Sequence, residues 1–429
     1  MLVNLTAQEQ GSALLDLVLS TATFYKGAAP TKQLRDRVAL ILAANPWLAG
    51  RFVRVNGRVA LEVPDPDALD VSEYFHVVEC PALDAGDPVP SVQRQVLALP
   101  SVRRVQKRAR SIRDKSQLFS ATVAVNSERT QFAAVLTLSH VLVDGHAFYA
   151  VHNMLGPTAP IARLDPLRSD AAFAEAVATV VPDLAVFLHW TCWLRLACTM
   201  LRDIVLGLVL RKRSSELGFQ PRSTTRVFNP AWIAERKTLS PADAAFLSSV
   251  GVPTHVSSND VVSSWFFTAL GCNIAAIAVN LRQRAQGIAS SQAGNMVGMM
   301  VWGNAKDVDT PAKVRAAIGR GSGHACRPLG ADADAPLTSL PAWGTPLRWG
   351  VLSNWAGFYK DVLFGEGTEL LYHLPVVAPP EFVPSNIGGG VLFAPREGVL
   401  ALQTIGCGAV FAEKGVFLEG GLMPVVTEE

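Results

Sequence analysis

The feature that most constrains this 429-residue chain is an apolar run, Phe132–Leu138, that ends in Ser139-His140-Val141-Leu142-Val143-Asp144-Gly145. A run of that length and apolarity predicts a buried strand. Leu118–Val125 is strand-like as well, and Asn126-Ser127-Glu128-Arg129 between them reads as a turn. After the glycine, Phe148, Val151, His152 and Leu155 recur at helical spacing, so the local expectation is strand, short loop, helix. An imidazole at the end of a buried strand is held rigidly, and its pKa near neutrality suits it to take a proton from a hydroxyl or amine. Asp144 is placed to orient that ring, hold the turn or cap the helix, and Gly145 lets the chain turn sharply. Alone, His-x3-Asp-Gly is a weak pattern that equally describes a core histidine beside a capping aspartate.

The rest of the chain narrows the field. Its length favours two domains. Hydrophobic residues are 49% and charged residues 17%, which excludes a disordered chain because enough apolar surface is available to offset ordering entropy. Lys plus Arg number 38 against 36 Asp plus Glu, so a polycation built to coat nucleic acid is excluded and no nucleic-acid partner is expected. The cysteines at 80, 192, 198, 272, 326 and 407 form no C-x-x-C pair and read as free thiols in a reducing, cytoplasmic setting. Met1–Gln10 shows no basic stretch leading into an apolar one, so no secretory signal is read there. His146 and His152 lie near His140, but no Cys or acidic pattern completes a metal site, and none is expected.

Thr31–Ala44 has helical periodicity and stops at Asn45-Pro46; Phe52–Val63 alternates around Asn56-Gly57 as a hairpin would. Pro241-Ala242-Asp243 opens one helix, Ser257-Ser258-Asn259-Asp260 opens another to Leu270, and Ile274–Asn280 is strand-like. Leu184–Leu210 is the most apolar stretch but carries Arg195, Arg202 and Asp203. Each central arginine would cost about 2.5–3.5 kcal/mol in a bilayer, so a clean span is disfavoured; a buried helix, or one lying in a membrane interface with Arg211-Lys212-Arg213 at its flank, fits better. Peripheral membrane contact through 184–213 is therefore one expectation. The basic run Arg103–Lys115 suits a solvated helix face, lipid headgroups or the phosphates of a cofactor. The polar, basic stretch 213–235 reads as a crossover between an N-terminal half, 1–212, and a C-terminal half, 236–429.

Five segments in order give the motif its context: Asn45-Pro46-Trp47-Leu48-Ala49-Gly50-Arg51; His140 to Gly145; Ser258-Asn259-Asp260 with Trp265; Val279-Asn280-Leu281-Arg282-Gln283-Arg284 followed by Gly294-Asn295; and Ser353-Asn354-Trp355 followed by Phe364-Gly365-Glu366-Gly367. Together they resemble the CoA-dependent acyltransferases of the BAHD type, within the HxxxD superfamily of chloramphenicol acetyltransferase, condensation domains and wax-ester synthases. The last motif departs from the family: Leu363 replaces its aspartate, Glu366 replaces its aromatic, and Asp361 is the nearest substitute. Wax-ester synthases usually double the histidine; Ser139 stands there, which tilts the likeness to the BAHD side.

The resemblance implies an α/β fold of two chloramphenicol-acetyltransferase-like domains, each a mixed sheet flanked by helices, with a channel at their interface. It implies a monomer that holds no permanent cofactor or metal and takes acyl-CoA as co-substrate with a hydroxyl or amine acceptor. It gives His140 the role of general base and pairs Asp144 with Arg282 across the halves, Arg284 being the fallback. It makes the Trp355 indole N–H the oxyanion donor and puts Ser353 and Gly145 beside the substrates. No covalent acyl-enzyme is implied, and no G-x-S-x-G nucleophile elbow occurs in the sequence. The apolar 184–210 stretch hints at a lipophilic acceptor. The alternatives are a wax-ester or glycerolipid synthase working at a membrane surface and a catalytically silent, condensation-like binding protein.

Overall fold

Gln131–Ser139 forms a central strand because its residues are apolar on both faces, which suits only a position covered on both sides. Strands and helices are numbered in chain order in a computed structural model that describes residues 1–10, 17–105, 117–181, 194, 197–198, 201, 223–303, 305–318, 348–376, 387–406 and 415–418. The strands are β1 (Leu2–Asn4), β2 (Val18–Gly27), β3 (Arg51–Val55), β4 (Arg58–Glu62), β5 (Phe75–Glu79), β6 (Phe119–Val125) and β7 (Gln131–Ser139). They continue as β8 (Ser223–Val227), β9 (Ile274–Asn280), β10 (Val297–Trp302), β11 (Trp349–Asn354), β12 (Thr368–Pro375), β13 (Ile387–Phe393) and β14 (Ala401–Gly406). The helices are α1 (Thr31–Ala44), α2 (Val89–Ala98), α3 (Pro100–Arg104), α4 (Gly145–Asn153), α5 (Asp170–Val180), α6 (Pro230–Arg236), α7 (Pro241–Ser249), α8 (Ser258–Leu270) and α9 (Pro311–Ile318).

Two mixed sheets carry the molecule. The first, in the order β12-β2-β7-β6-β5, is antiparallel except for β5 against β6. The second, β10-β9-β11-β13-β14-β8, is parallel only at β9·β11 and β11·β13. The expected α/β architecture of two helix-flanked mixed sheets is the one found. A small antiparallel sheet, β1-β4-β3, contains the hairpin around Asn56-Gly57. Separate apolar clusters back the two large sheets, centred on residues such as Trp47, Phe119 and Phe148 in one and Phe266, Phe267 and Trp302 in the other.

Two boundaries differ from the sequence reading. The stretch 213–235 is not all linker: its second part supplies β8, paired with β14, and all but the last residue of α6. β12 lies in sequence within the C-terminal half yet pairs with β2 of the first sheet, from Thr368 opposite Gly27 to Pro375 opposite Thr21. The halves are therefore interlocked by a strand. The 184–210 stretch falls almost wholly outside the described residues, as do most of the basic run and Arg211-Lys212-Arg213. Among the described residues, no helix is long and apolar enough to cross a membrane.

Candidate active site

His140 follows β7 directly. Its backbone N–H donates to Leu17 O at 2.9 Å, which continues the pairing of β7 with β2 and fixes where the side chain leaves the sheet. The residue is half-buried. Its Nδ1 is buried and makes no hydrogen bond of good geometry to a described residue. Burial lowers the imidazole pKa below its usual value; its own carbonyl, the Asp144 carboxylate and Asn295 act in the opposite direction. Near neutrality the ring is therefore uncharged and able to accept a proton.

Asp144 does not complete a relay with that ring. Its Oδ1 accepts from the Ala147 N–H at 2.9 Å, capping α4, and its Oδ2 accepts from Arg282 Nη1 at 2.6 Å and from the Met296 N–H at 3.0 Å. Arg282 stands just after β9, so the pair joins the two halves. Both side chains are 1% exposed, and the guanidinium is saturated further by Gln292 O, Asn280 Oδ1 and Gly294 O. A buried ion pair survives only where such additional bonds satisfy the remaining polar atoms. Arg284 instead donates to Ile318 O at 3.4 Å and is not Asp144's partner.

Trp355 follows β11. Its indole N–H donates to Ser353 Oγ at 2.9 Å, two residues back. The ring lies against the start of α4: a Cβ added at Gly145 would sit 2.9 Å from its Cδ1 and 3.0 Å from its Nε1. Gly145 is needed for this close approach. Trp355, Ser353, Asp144, Arg282 and Gly145 thus meet around the His140 loop, although they come from opposite halves. Phe364 packs on Tyr25 and Phe132 with centroids at 5.1 and 6.3 Å, and Asp361 accepts from the Glu397 N–H at 3.0 Å. The altered last motif therefore still packs its aromatic. His146 lies with its Nε2 3.3 Å from Ser290 O and its ring edge-on to Phe358. Among the described residues, no cluster of His, Cys, Asp and Glu is arranged to hold a metal. A cavity of 620 Å³ opens at the start of α1, lined by Pro30, Lys32, Asp36, Arg37 and Pro157 among others, and none of the motif residues lines it.

Two buried assemblies had no sequence signal. At the far end of α4, Tyr149 OH lies 2.9 Å from His373 Nε2, His373 Nδ1 lies 2.9 Å from Thr23 Oγ1, and Thr23 lies 3.2 Å from His152 Nε2. Burial pushes the His152 pKa down to about 4, and burial with the neighbouring His152 puts His373 well below the usual value. Behind the His140 loop, Glu9 pairs with Arg168 at 2.9 Å. His152 stands out in the sequence only for its closeness to His140 and its place on the helical face after Gly145; the others are isolated residues outside any pattern.

No known family model matches the sequence, and no curated protein does. Solved structures do match. TRI101 from F. sporotrichioides, complexed with coenzyme A and T-2, superposes with a TM-score of 0.56 over 94% of this chain and 94% of that one, at 12% identity. Polyketide synthase associated protein 5 from Mycobacterium tuberculosis superposes at 0.52 over 94% and 92%, at 15% identity. The first condensation domain of the CDA synthetase superposes at 0.51 over 97% and 93%, at 14% identity. The chain thus shares, over more than nine-tenths of its length, the fold of these three structures, a condensation domain among them, as its motifs led one to expect.

Proposed function

We propose that the protein transfers an acyl group from a CoA thioester to a hydroxyl or amine acceptor. The observation that carries this reading is the Asp144–Arg282 pair: it occupies the aspartate fully and leaves His140 a neutral, half-buried base at the meeting of the two halves. That arrangement fits direct attack better than a nucleophilic triad, in which the acid would hold the imidazole. The solved likeness of TRI101 bound to coenzyme A supports CoA as the donor.

In this reading His140 takes the acceptor proton as its oxygen or nitrogen bonds to the thioester carbonyl carbon. The carbonyl oxygen then carries the negative charge. The Trp355 N–H, already within hydrogen-bond reach of one oxygen on Ser353, is the donor proposed for it. As the intermediate collapses, the carbon–sulfur bond breaks and the CoA thiolate recovers the proton from imidazolium. Ser353 and Gly145 border the reacting groups, the acyl-CoA and acceptor reach them from opposite ends of a channel between the halves, and the chain acts as a monomer without a resident cofactor. The apolar 184–210 stretch favours a lipophilic acceptor. A donor carried on a protein-bound pantetheine is the second reading, favoured by the likeness to a condensation domain.

The test is release of free thiol from a panel of acyl-CoAs with alcohols and amines. His140→Ala is expected to lower kcat by about 10²–10⁴-fold. Because burial lowers the His140 pKa, kcat/KM is expected to hold on acidification until the pH passes below about 6.5, the ordinary imidazole value. Unchanged activity in His140→Ala would exclude this mechanism. Thiol release only from a carrier-bound thioester would select the second reading, and none with either donor would leave a binding protein.

A further inference from the structure

The His140 loop is gripped from behind by a second buried ion pair. Glu9, seven residues past the start of the small β1 strand, and Arg168, just before α5, meet with both side chains 0% exposed. Every further polar contact of the pair is local to this junction. Glu9 Oε1 accepts the Asn295 N–H at 3.0 Å and Oε2 accepts the Thr6 N–H at 3.0 Å. Arg168 Nη1 donates to Pro166 O at 2.6 Å, and Nη2 donates to Val141 O at 3.2 Å and Leu142 O at 3.4 Å. Asn295, whose N–H the carboxylate holds, turns its Nδ2 onto His140 O at 2.5 Å and Val141 O at 3.2 Å.

Three successive carbonyls of the loop, at His140, Val141 and Leu142, are therefore held by Asn295, Arg168 or both, and Glu9 orients these two holders. The packing is built for it. Gly294 has a φ of +89°, and a Cβ there would lie 2.6 Å from Arg168 Nε and 2.9 Å from Glu9 Oε1. No side chain other than hydrogen fits. A pair placed merely to strengthen the core would not need to turn Arg168 Nη2 onto two successive carbonyls of the loop.

We propose that Glu9 and Arg168 are positioning residues that set the reach of the His140 imidazole. The proposal rests on the acyl-transfer reading above. Asp144 and Arg282 hold the last residue of the loop; Arg168, and Asn295 held by Glu9, grip its first three carbonyls. Cutting the second brace lets the loop relax, moves the imidazole from its reacting position and admits water around it. Displacement by about 1 Å suffices to cost as much as 10²-fold in rate.

The experiment compares wild type with Glu9→Gln, which keeps the size but removes the charge and turns one of the two accepting oxygens into a donor. One readout is the pH titration of the His140 ring by NMR with labelled histidine, the signal among the eight histidines being assigned by its loss in His140→Ala. Asp144 is the charge that acts on the ring and is unchanged in the variant; the loss of the Glu9 charge, which leaves Arg168 unpaired, would by itself push the titration down, so an upward shift reports relaxation of the loop. The other readout is kcat and KM for thiol release. In Glu9→Gln the His140 titration moves up toward the free imidazole value, and kcat falls about tenfold or more with KM changed less than about threefold.

Arg37→Met, which removes a half-buried arginine from the Met154 and Ala159 carbonyls, controls for loss of stability alone and leaves both readouts in place. A folded Glu9→Gln with wild-type titration and kcat overturns the proposal. If Glu9→Gln does not fold, Arg168→Lys decides: it keeps the charge but cannot reach Glu9, Pro166 and Val141 together, and the same shifts are expected. Wild type that releases no thiol defeats the acyl-transfer reading, while the titration still decides the brace.

Discussion

The two ends of helix α4 bury polar groups by opposite means. At its N-terminus a full charge pair, Asp144 with Arg282, sits 1% exposed with each carboxylate oxygen bonded. At its C-terminal end Tyr149, His152, His373 and Thr23 are as deeply buried, yet burial keeps both imidazoles uncharged. The first anchor is strong because its charges answer each other. The second is strong only while no proton arrives, since a charged imidazole there faces hydroxyls and aromatic rings rather than a carboxylate. The helix that follows the motif is thus tied at one end by a charge pair and at the other by a neutral contact that mild acid loosens.

Breaking the charged end has the largest expected effect. Arg282→Met leaves Asp144 buried with only backbone N–H donors, and the loss of one partner from such a pair costs about 3–5 kcal/mol. Urea unfolding at neutral pH measures it. A loss under about 1 kcal/mol, the value of an exposed pair, would mean that the interface opens to water.

Acid probes the other end. His152 binds a proton at about pH 4 when folded but near its ordinary value when unfolded, so between those values the unfolded chain holds more protons. Stability therefore rises with pH in this window and falls as pH drops from about 6.5 toward 4, by roughly 3 kcal/mol from this residue, with His373 acting in the same direction. Urea midpoints at stepped pH values read the slope, and His152→Leu is expected to flatten it. Parallel curves for the two proteins would show that His152 is not kept neutral by the fold.

Between these ends, Gly145→Ala tests the contact of α4 with the second half. The added methyl meets the Trp355 ring at 2.9 Å, and such overpacking costs about 1–3 kcal/mol. Tryptophan emission and thiol release should change together if the indole serves the reaction.

How much of this was legible in the sequence depends on how local each cause is. The β6–β7 hairpin, the motif loop and α4 were readable because pattern, turn and cap lie within a few dozen residues. The capping box of α8, Ser257 with Asp260, was readable for the same reason. The Asp144–Arg282 pair spans 138 residues and was expected only through the family resemblance. β8 reads as linker because it closes one edge of its sheet, where Ser223-Thr224-Thr225-Arg226-Val227 need not be apolar. β12 could not be assigned to the first sheet, because strand order is settled by packing rather than composition. His373 followed it out of sight: its hydroxyl partner Thr23 is 350 residues away. Glu9 and Arg168 are single charged residues, and only their burial makes them notable.

The smallest expected effect sharpens the comparison most directly. Tyr149→Phe removes a single hydroxyl from the neutral end and leaves the ring, its edge-on contact with Trp355 and the apolar packing in place. The hydrogen bond to His373 Nε2 is lost and that nitrogen stays buried, at a net cost of about 1 kcal/mol, the scale of one neutral hydrogen bond. Measured beside Arg282→Met under the same conditions, the loss should be several-fold smaller, because here no charge is stranded. Equal losses would sink the distinction between a charge-paired and a neutral anchor, and would mean that the helix is held by its hydroxyl–imidazole end as firmly as by its ion pair.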